Sequence, residues 1–322
     1  MSLFLGLDSS TQSLSAIVID TDCGTVVYED AVNFGRHLPH YHSPSGFLEH
    51  SDPLVKQSNP LMWAEALDLL LTRGKEKGFA WNAVEGISGS GQQHGSIYLN
   101  DGYFDACFST EQSLANQVKP LLSRDVSPIW MDSSTSAECQ KIADAAGGNG
   151  RVAAVTGSPA IERFTGPQIR RFYKEDPESY ERTARIHLVS SFMAWLLTGT
   201  DVGIDFGDGA GMNLLDLAEQ DWNLALADAT APGLLQKLPK AVASDTVVGQ
   251  IADYFVIKYG FCAGTPVVAW TGDNPSSLVG MGATEPGTAV ISLGTSDTYF
   301  AAMQEPRTDP NGYGHVFGNP AG

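Results

Sequence analysis

Two short segments near opposite ends of the chain combine an apolar strand pattern with a turn of small hydroxyl and acidic residues. They are residues 5–13 (LGLDSSTQS) and 291–298 (ISLGTSDT). Small residues let a backbone approach an anion closely, and the hydroxyls of Thr11, Thr295 and Ser296 add donors to the backbone N–H groups of the turns. The pair predicts a site that grips a polyphosphate from two sides. Taken singly, each segment is better explained as an ordinary β-hairpin turn.

A carboxylate lies inside the first of these turns, at Asp8. It would repel a phosphate group unless a cation lay between the two negative charges. Mg²⁺ is the natural candidate, because proteins commonly hold it with one or two carboxylates together with substrate phosphates. The sequence therefore predicts Asp8 as the residue that works with magnesium.

A second carboxylate, Asp273, follows the apolar residues 267–270. This pattern places Asp273 at the end of a strand, where a carboxylate is well placed to act as a general base. Phosphoryl transfer to a hydroxyl needs one such base to accept the proton of the attacking oxygen. The simpler alternative is that Asp273 is the N-cap of a helix that begins at Pro275.

Hydrogen-bonding side chains are concentrated in a glycine-bounded turn at residues 91–95 (GQQHG). The amide of Gln93 and the imidazole of His94 supply donors and acceptors, which recognition of a polyol requires. The alternative for His94 is a structural histidine whose hydrogen bonds are satisfied inside the protein. Arg163 is another candidate for reading a polar ligand, although a surface ion pair is the commoner role of an arginine.

The composition narrows the range of partners. The 322 residues include 37 acidic and 19 basic side chains, which gives a formal charge of −18. This charge repels nucleic acids and anionic membranes, so neither is expected as a partner. The four cysteines lack metal-ligand spacing and are expected to be reduced thiols. Because the sequence shows no basic leader and no apolar run of membrane-spanning length, a cytoplasmic location is expected.

Hydrophobic periodicity predicts how the first part of the chain is organised. Three segments are predicted to be successive strands of an antiparallel meander: residues 4–7, 14–20 and 25–33. Residues 34–60 show no periodicity and are predicted to be a long loop. A helix is expected to begin at Asn59 and Pro60, an N-cap followed by a first-turn proline, and to end at Gly74.

Strands and helices are predicted to alternate along the rest of the chain. Further strands are expected at residues 84–88 and 96–99, which are predicted to pair with each other. Others are expected at residues 247–251, 267–270, 290–293 and 298–303. Further helices are expected at residues 168–174, 186–197 and 253–259. A helix is also expected to open at a capping box formed by Thr135 and Glu138 and to end at Gly147. These patterns predict an α/β fold with a mixed sheet, divided into domains at residues 1–245 and 246–322.

Seven motifs, in order along the chain, resemble those of the FGGY carbohydrate kinases and, among them, of the eukaryotic-type xylulose kinases. They are DSSTQS at residues 8–13, SGSGQQHGSIY at 88–98, WMDSST at 130–135, ERFTGPQI at 162–169, DGAGMNL at 208–214, TGDNPSSL at 271–278 and SLGTSDT at 292–298. The resemblance extends from Leu5 to the last residue.

This resemblance implies an actin-like ATPase (ribonuclease H-like) fold, in which two related domains enclose ATP and a sugar. It implies phosphorylation of D-xylulose to D-xylulose 5-phosphate, with ATP and Mg²⁺. Two alternatives stay open, namely a kinase for another ketose or polyol such as ribulose, and a sugar-binding protein without catalysis. A homodimer also stays open as the assembly.

The resemblance also implies the sugar ligands. Asp273 would be the catalytic base and would contact the sugar together with Gln93, His94, Arg163 and Asn274. Asp132 has a weaker implied place near the metal or the sugar.

The phosphates would lie against residues of the two turns, and Asp8 would work with Mg²⁺. The residues implied to surround the phosphates are Ser10, Thr11, Gln12, Gly294 and Thr295. The family turn commonly reads DxGTxS, whereas Ser10 stands here in place of the glycine. Family members continue beyond the last motif, where most of the adenosine pocket lies. The chain is therefore expected to be incomplete at its carboxyl end.

Overall fold

The computed structural model describes residues 1–293, 298–309 and 312–320, in which strands and helices alternate along the chain. The strands are β1 (Leu3–Ser9), β2 (Ser13–Asp20), β3 (Thr25–Asn33), β4 (Gln57–Ser58), β5 (Val84–Gly91), β6 (Ser96–Leu99), β7 (Ser127–Pro128), β8 (Arg185–Leu188), β9 (Ile204–Asp205), β10 (Leu215–Asp216), β11 (Asp221–Trp222), β12 (Ala241–Val242), β13 (Val247–Gln250), β14 (Pro266–Val268), β15 (Thr271–Gly272), β16 (Ala289–Ser292) and β17 (Thr298–Ala301).

The helical segments cover both long amphipathic helices and single turns. The α-helices are α1 (Phe34–His37), α2 (Pro60–Glu76), α3 (Leu114–Val118), α4 (Ser136–Ala146), α5 (Asn149–Thr156), α6 (Thr165–Glu175), α7 (Pro177–Arg182), α8 (Val189–Thr198), α9 (Phe206–Gly209), α10 (Leu224–Thr230), α11 (Leu234–Lys237), α12 (Asp253–Tyr259) and α13 (Asp273–Gly280). Short 3₁₀ turns cover Pro39–Tyr41, Trp81–Ala83, Asp101–Asp105, Lys119–Leu121 and Ala210–Met212.

Within the described residues, a seven-stranded mixed sheet forms the centre of the fold. Its order is β13-β14-β5-β1-β2-β3, and β15 also pairs with β5. Strand β5 runs parallel to both β1 and β15, whereas β1, β2 and β3 form an antiparallel meander. Because the carboxyl ends of parallel strands meet at one edge of a sheet, the segments that follow β1, β5 and β15 are brought together there.

Predictions that rest on strong local signals are confirmed. The opening meander has the predicted strands, and the helix α2 begins directly after Asn59, whose side chain accepts a hydrogen bond from the Leu61 N–H. The helix α12 covers the predicted residues 253–259, and β16 pairs with β17 as a hairpin. These elements are determined by caps, turns and periodicity within a few residues of themselves.

Predictions that depend on distant pairing partners are wrong in two places. Residues 96–99 form the strand β6, but β6 pairs with β8 and not with β5. The predicted helix at residues 186–197 begins only at Val189, because residues 186–188 belong to β8. A short, fully buried apolar run has the same pattern in a strand and in a helix, so periodicity alone does not separate the two.

Two local predictions also need correction. The predicted loop at residues 34–60 starts with the helical turn α1 and the 3₁₀ turn Pro39–Tyr41 and has β4 near its end, and the residues between them are irregular. The helix α4 forms as predicted but without a capping box. The Thr135 hydroxyl donates instead to the Glu162 carbonyl, and Glu138 pairs with Lys174.

The expected division of the chain into two domains, residues 1–245 and 246–322, stays a prediction. The strands β13 and β14, which follow this point, hydrogen-bond within the same sheet as β1 and β5. The helices α2 and α8 supply Trp63 and Trp195 to the main buried cluster, which also includes Leu5 of β1. In the part of the chain that the structure describes, we find no helix with the length and apolar character needed to cross a membrane.

Glycines at the end of β5 let other backbones come unusually close. A Cβ atom at Gly91 would lie 2.6 Å from the backbone nitrogen of Ser190, at the start of α8. A Cβ atom at Gly89 would lie 2.4 Å from the carbonyl oxygen of Leu7. Because these neighbours are backbone atoms, they cannot move aside without shifting a strand or a helix. The glycines therefore fix the distance between β5, β1 and α8.

We expect Gly91→Ala to lower the free energy of unfolding by about 1–3 kcal/mol, the usual range for overpacking in a well-packed interior. The matched control is Gly150→Ala in α5, because Gly150 is exposed and a Cβ atom there would meet nothing within 4 Å. That control should leave stability unchanged or raise it by up to about 1 kcal/mol. Urea unfolding of both variants tests this, and equal effects would contradict the close approach of α8.

Candidate active site

The ends of three parallel strands bring polar side chains to one level of the sheet. In the register of the sheet, Asp8 of β1 is opposite Ser90 of β5, and Ser90 is opposite Thr271 of β15. The Ser90 hydroxyl donates a hydrogen bond to Asp8 Oδ1 at 2.7 Å. Burial raises the pKa of Asp8, and the Ser90 bond opposes that shift. The sequence signal at Asp8 is thus joined to a partner, Ser90, to which sequence reasoning gave no role.

Asp273 lies two residues beyond Thr271, as the first residue of α13. Gly272 occupies the N-cap position of this helix, and no side chain caps it, so Asp273 is not the N-cap. Burial, and then the charge of Asp8, raises the pKa of Asp273 to about 6. Asp8 and Asp273 are therefore neighbours in space as well as candidates for the same reaction. A carboxylate with a pKa near 6 is well suited to accept a proton at neutral pH.

Asn274 is hydrogen-bonded on two sides. Its side-chain amide donates to Gln93 Oε1 at 2.6 Å and to Asp273 Oδ1 at 3.3 Å. The structure therefore brings Gln93, from the motif at residues 88–98, into contact with Asn274, from the motif at residues 271–278. Gln93 itself is only 3% exposed, so its amide has little access to solvent.

His94 is buried, and its backbone adopts the left-handed conformation with φ 68°. Its Nδ1 lies 2.9 Å from the carbonyl oxygen of Gly211. Because a carbonyl only accepts, Nδ1 must carry the hydrogen, which leaves Nε2 of the neutral ring as an acceptor for a ligand hydroxyl. Burial lowers the pKa of His94 to about 3, so the ring is neutral at physiological pH. A Cβ atom at Gly211 would lie 2.7 Å from the His94 ring.

Arg163 lies near enough to His94 for its charge to act on the imidazole, and a shared sugar pocket for the two stays a prediction. The His94 ring stacks on Phe164 with centroids 4.3 Å apart, and the Arg163 charge adds to burial in lowering the pKa values of His94 and His315. Arg163 lines a groove of about 350 Å³ together with Trp130 and other residues of the 130–133 loop. Of the predicted sugar ligands, Arg163 is the one that lines this groove among the described residues.

The first turn is held by its own hydrogen bonds and by one distant partner. Ser10 donates from its backbone and from its hydroxyl to the Ser13 carbonyl. The Thr11 hydroxyl accepts a hydrogen bond from the Trp130 indole at 2.8 Å, while Gln12 is exposed and its carbonyl accepts from Phe34. A role of these three residues at a phosphate stays a prediction.

The second predicted turn is only partly visible. Its flanking strands β16 and β17 pair as expected, but Gly294 and Thr295 lie outside the described residues.

Asp132, which the resemblance placed near the metal or the sugar, is buried. Its carboxylate accepts from the Lys56 N–H, the Ser134 N–H and the Gln168 amide, so it ties the 130–135 loop to its neighbours.

A cavity of about 830 Å³ opens beside Asp8 and is lined by Ser90 and Thr271 among others. Among the described residues no group of three acidic, histidine or cysteine side chains could hold a metal ion. Mg²⁺ usually takes one or two carboxylates and completes its shell with waters and substrate phosphates. A half-buried Asp8 at the edge of a large cavity is a suitable single ligand.

Two further carboxylates lie under the site, and sequence reasoning gave neither a role. Asp205 and Asp208 are both fully buried. Asp205 accepts the backbone N–H groups of Gly207 and Asp208, as the N-cap of α9. Asp208 accepts from the Ser190 hydroxyl, and burial together with the charges of Asp205 and Asp273 raises its pKa well above the usual range. Only Asp205 caps the helix, because the Asp208 carboxylate faces Ser190 and not the N-cap N–H.

We expect the buried neutral state of His94 to make the fold sensitive to acid. In the folded chain the His94 ring stays neutral until about pH 3, whereas the same histidine takes up a proton near pH 6.5 when the chain is unfolded. The unfolded chain therefore binds one more proton than the folded chain below pH 6.5, and the free energy of unfolding falls as the pH decreases below that value. In His94→Asn this loss should be smaller, by about 1.4 kcal/mol per pH unit below pH 6.

The measurement is urea unfolding at several pH values between 7 and 4.5. His42→Asn is the matched control, because His42 has the same left-handed backbone (φ 52°) but is exposed. It should follow the pH dependence of the unmodified chain. If His94→Asn also did so, the ring would not be held neutral by the fold.

The chain is similar to known proteins over nearly its whole length. The model of the FGGY family of carbohydrate kinases, N-terminal domain, matches residues 3–280. The chain is 46% identical over 318 residues to a xylulose kinase of Rattus norvegicus, covering 98% of this chain and 59% of the relative. It is 44% identical over 322 residues to xylulose kinase 2 of Arabidopsis thaliana, covering 99% of this chain and 57% of that relative.

A solved structure gives the fold. The crystal structure of a "xyloylose kinase" from Brucella ovis matches with a TM-score of 0.80 and 24% identity, covering 98% of this chain and 58% of that one. The actin-like ATPase fold implied by the sequence is thereby confirmed. The chain spans less than 60% of the length of these relatives.

Proposed function

Since the chain belongs to the FGGY family of carbohydrate kinases, we propose that, with the further length its relatives have, it forms an ATP-dependent xylulose kinase. The reaction is transfer of the γ-phosphoryl group of ATP to the terminal C5 hydroxyl of D-xylulose, giving D-xylulose 5-phosphate. The similarity to relatives named xylulose kinase favours this sugar over ribulose or another polyol. A cytoplasmic location and the absence of a nucleic-acid partner stay predictions.

The observation that carries the proposal is the placement of Asp273. Its carboxyl group is at the end of β15, beside Asn274 and close enough to Asp8 for the two charges to interact. In phosphoryl transfer the protein mainly positions the reactants and stabilises charge, and one base accepts the proton of the attacking hydroxyl. Asp273 accepts that proton while the sugar oxygen attacks the γ-phosphorus in line.

The proposed sugar ligands include two side chains, those of His94 and Asn274, that hydrogen bonds within the fold already hold. The neutral His94 ring offers Nε2 as an acceptor, Asn274 offers its side-chain oxygen as a second acceptor because its amide hydrogens are donated to Gln93 and Asp273, and Arg163 offers donors. Donors and acceptors whose positions are fixed before binding lose little entropy when the sugar arrives. This arrangement suits an uncharged, polyhydroxylated substrate.

The phosphates are proposed to lie at the other side of Asp273, in the cavity beside Asp8. Asp8 would hold Mg²⁺, which when bound screens the negative charge of the phosphates. Ser10, Thr11 and Gln12 are proposed to contact the phosphates, and the second turn with Gly294 and Thr295 is proposed to close on them from the opposite side. Two clamps of this kind would keep water from the reacting phosphorus.

Asp273→Ala should lower kcat by about 10²–10⁴, the contribution of a positioned general base. Asp253→Ala is the matched control, because Asp253 is also the first residue of a helix after an uncapped N-terminus, but it is exposed. The test is coupled release of ADP with D-xylulose, using the protein at the full length of its relatives. Full sugar-dependent turnover in Asp273→Ala would refute the proposed base.

The pH dependence of kcat/KM follows from the same carboxylate. Because the pKa of Asp273 is raised to about 6, the base is ionised above pH 6 and protonated below it. Activity should therefore fall as the pH decreases through 6, approaching tenfold per unit. A profile of kcat/KM for D-xylulose from pH 5 to 8 measures this. A flat profile between pH 5 and 7 would contradict a base of this pKa.

A further inference from the structure

The amide of Gln93 makes a short contact that the proposed reaction does not itself explain. Asn274 Nδ2 lies 2.6 Å from Gln93 Oε1 and 3.3 Å from Asp273 Oδ1. The contact joins the turn after β5 to the start of α13, which are far apart in the sequence. It therefore belongs to the tertiary structure of the site and not to either local element.

The chemistry of the three groups fixes the direction of both hydrogen bonds. An ionised carboxylate only accepts, so the Asn274 atom that faces Asp273 must be the amide nitrogen. Because that same nitrogen also faces Gln93, the Gln93 atom must be its carbonyl oxygen. The orientation of both amides thus follows from the charge on Asp273, without reference to a ligand.

Gln93 is unusually well held for a long side chain. It is 3% exposed and lies directly over Gly272, where a Cβ atom would be 2.7 Å from Gln93 Cγ. The next residue, His94, has a left-handed backbone with its ring bonded to the Gly211 carbonyl. A buried side chain fixed at both its base and its amide can transmit position to its partner.

We propose that Gln93 is a positioning residue, which sets the direction of the Asn274 amide and acts on the sugar through it. The proposal rests on the proposed function, because Asn274 is taken as a sugar ligand. Without the Gln93 acceptor, the Asn274 amide keeps only its longer bond to Asp273 and can rotate. The competing role is a direct hydrogen bond from Gln93 Nε2 to the sugar.

A double-mutant cycle separates the two roles. Gln93→Met keeps the length of the side chain and removes the acceptor, so KM for D-xylulose should rise about tenfold, the effect of one hydrogen bond. If Gln93 acts through Asn274, Gln93→Met combined with Asn274→Ala should be no worse than Asn274→Ala alone. If the two effects multiply fully, Gln93 contacts the sugar independently and the proposal is overturned.

Gln93→Glu supplies a readout that a purely structural role would not move. It keeps an acceptor for Asn274, so KM should return to within about threefold of the original value, well below the tenfold effect of losing the bond. The new negative charge should also move the acidic limb of the kcat/KM profile to higher pH, by raising the pKa of Asp273. If Gln93→Glu behaved like Gln93→Met in KM, the acceptor would not be what matters. Gln140→Met, at an exposed glutamine of α4, is the control and should change neither parameter.

A measurement without substrate keeps this inference distinguishable from the proposed function. In the chain itself, the NMR signals of the Asn274 side-chain amide should shift in Gln93→Met and stay near their original position in Gln93→Glu. Unchanged signals in Gln93→Met would show that the contact does not exist and would overturn the proposal. Absence of any D-xylulose turnover in the unmodified enzyme would instead overturn the proposed function.

Discussion

The burial of several carboxylates at one edge of the sheet is the constraint on which the site depends. Asp8 and Asp273 interact through their charges, and Asp208 lies behind them against Asp205. Removing such groups from water disfavours their charged forms, so their pKa values rise. Their burial therefore lowers the free energy of unfolding at neutral pH. A protein keeps such an arrangement where a ligand or a reaction makes use of it. The surrounding fold must therefore hold these groups in place against their own repulsion.

Close packing against glycine is the device that holds them. Ser190, which donates to Asp208, lies against Gly91, the His94 ring lies against Gly211, and Gln93 lies over Gly272. At each of these three glycines a Cβ atom would come within 2.7 Å of the neighbouring group. The glycine motifs of the sequence thus serve a second purpose beside turn formation, because they set the distances between side chains from different strands.

Sequence reasoning succeeded where the signal is local. The opening meander, the N-cap at Asn59 and the strand-end position of Asp273 are encoded within a few residues, and the structure contains each of them. It failed for β6 and β8, which pair with each other. Both are short, buried apolar runs, and such runs have the same hydrophobic pattern in a strand and in a helix. It also gave Ser90 and Asp208 no role, since their importance comes from burial and from partners distant in sequence.

The two halves of the proposed site are linked by hydrogen bonds within the fold. The Trp130 indole donates to Thr11 in the first turn, and the same loop is anchored by the bond from Gln168 to Asp132.

Gln168 lies on α6, whose first residue, Thr165, donates from its hydroxyl to the His94 carbonyl. The helix α6 therefore contacts both the loop that reaches the first turn, proposed to bind phosphate, and the turn that carries His94, a proposed sugar ligand. The bonds from Gln168 and Thr165 end on the buried residues Asp132 and His94, so a shift of α6 would break bonds that the interior cannot replace with water. The proposed sugar and phosphate sides of the site are thus connected through α6 and the 130–135 loop, and in-line transfer between them would require such a connection.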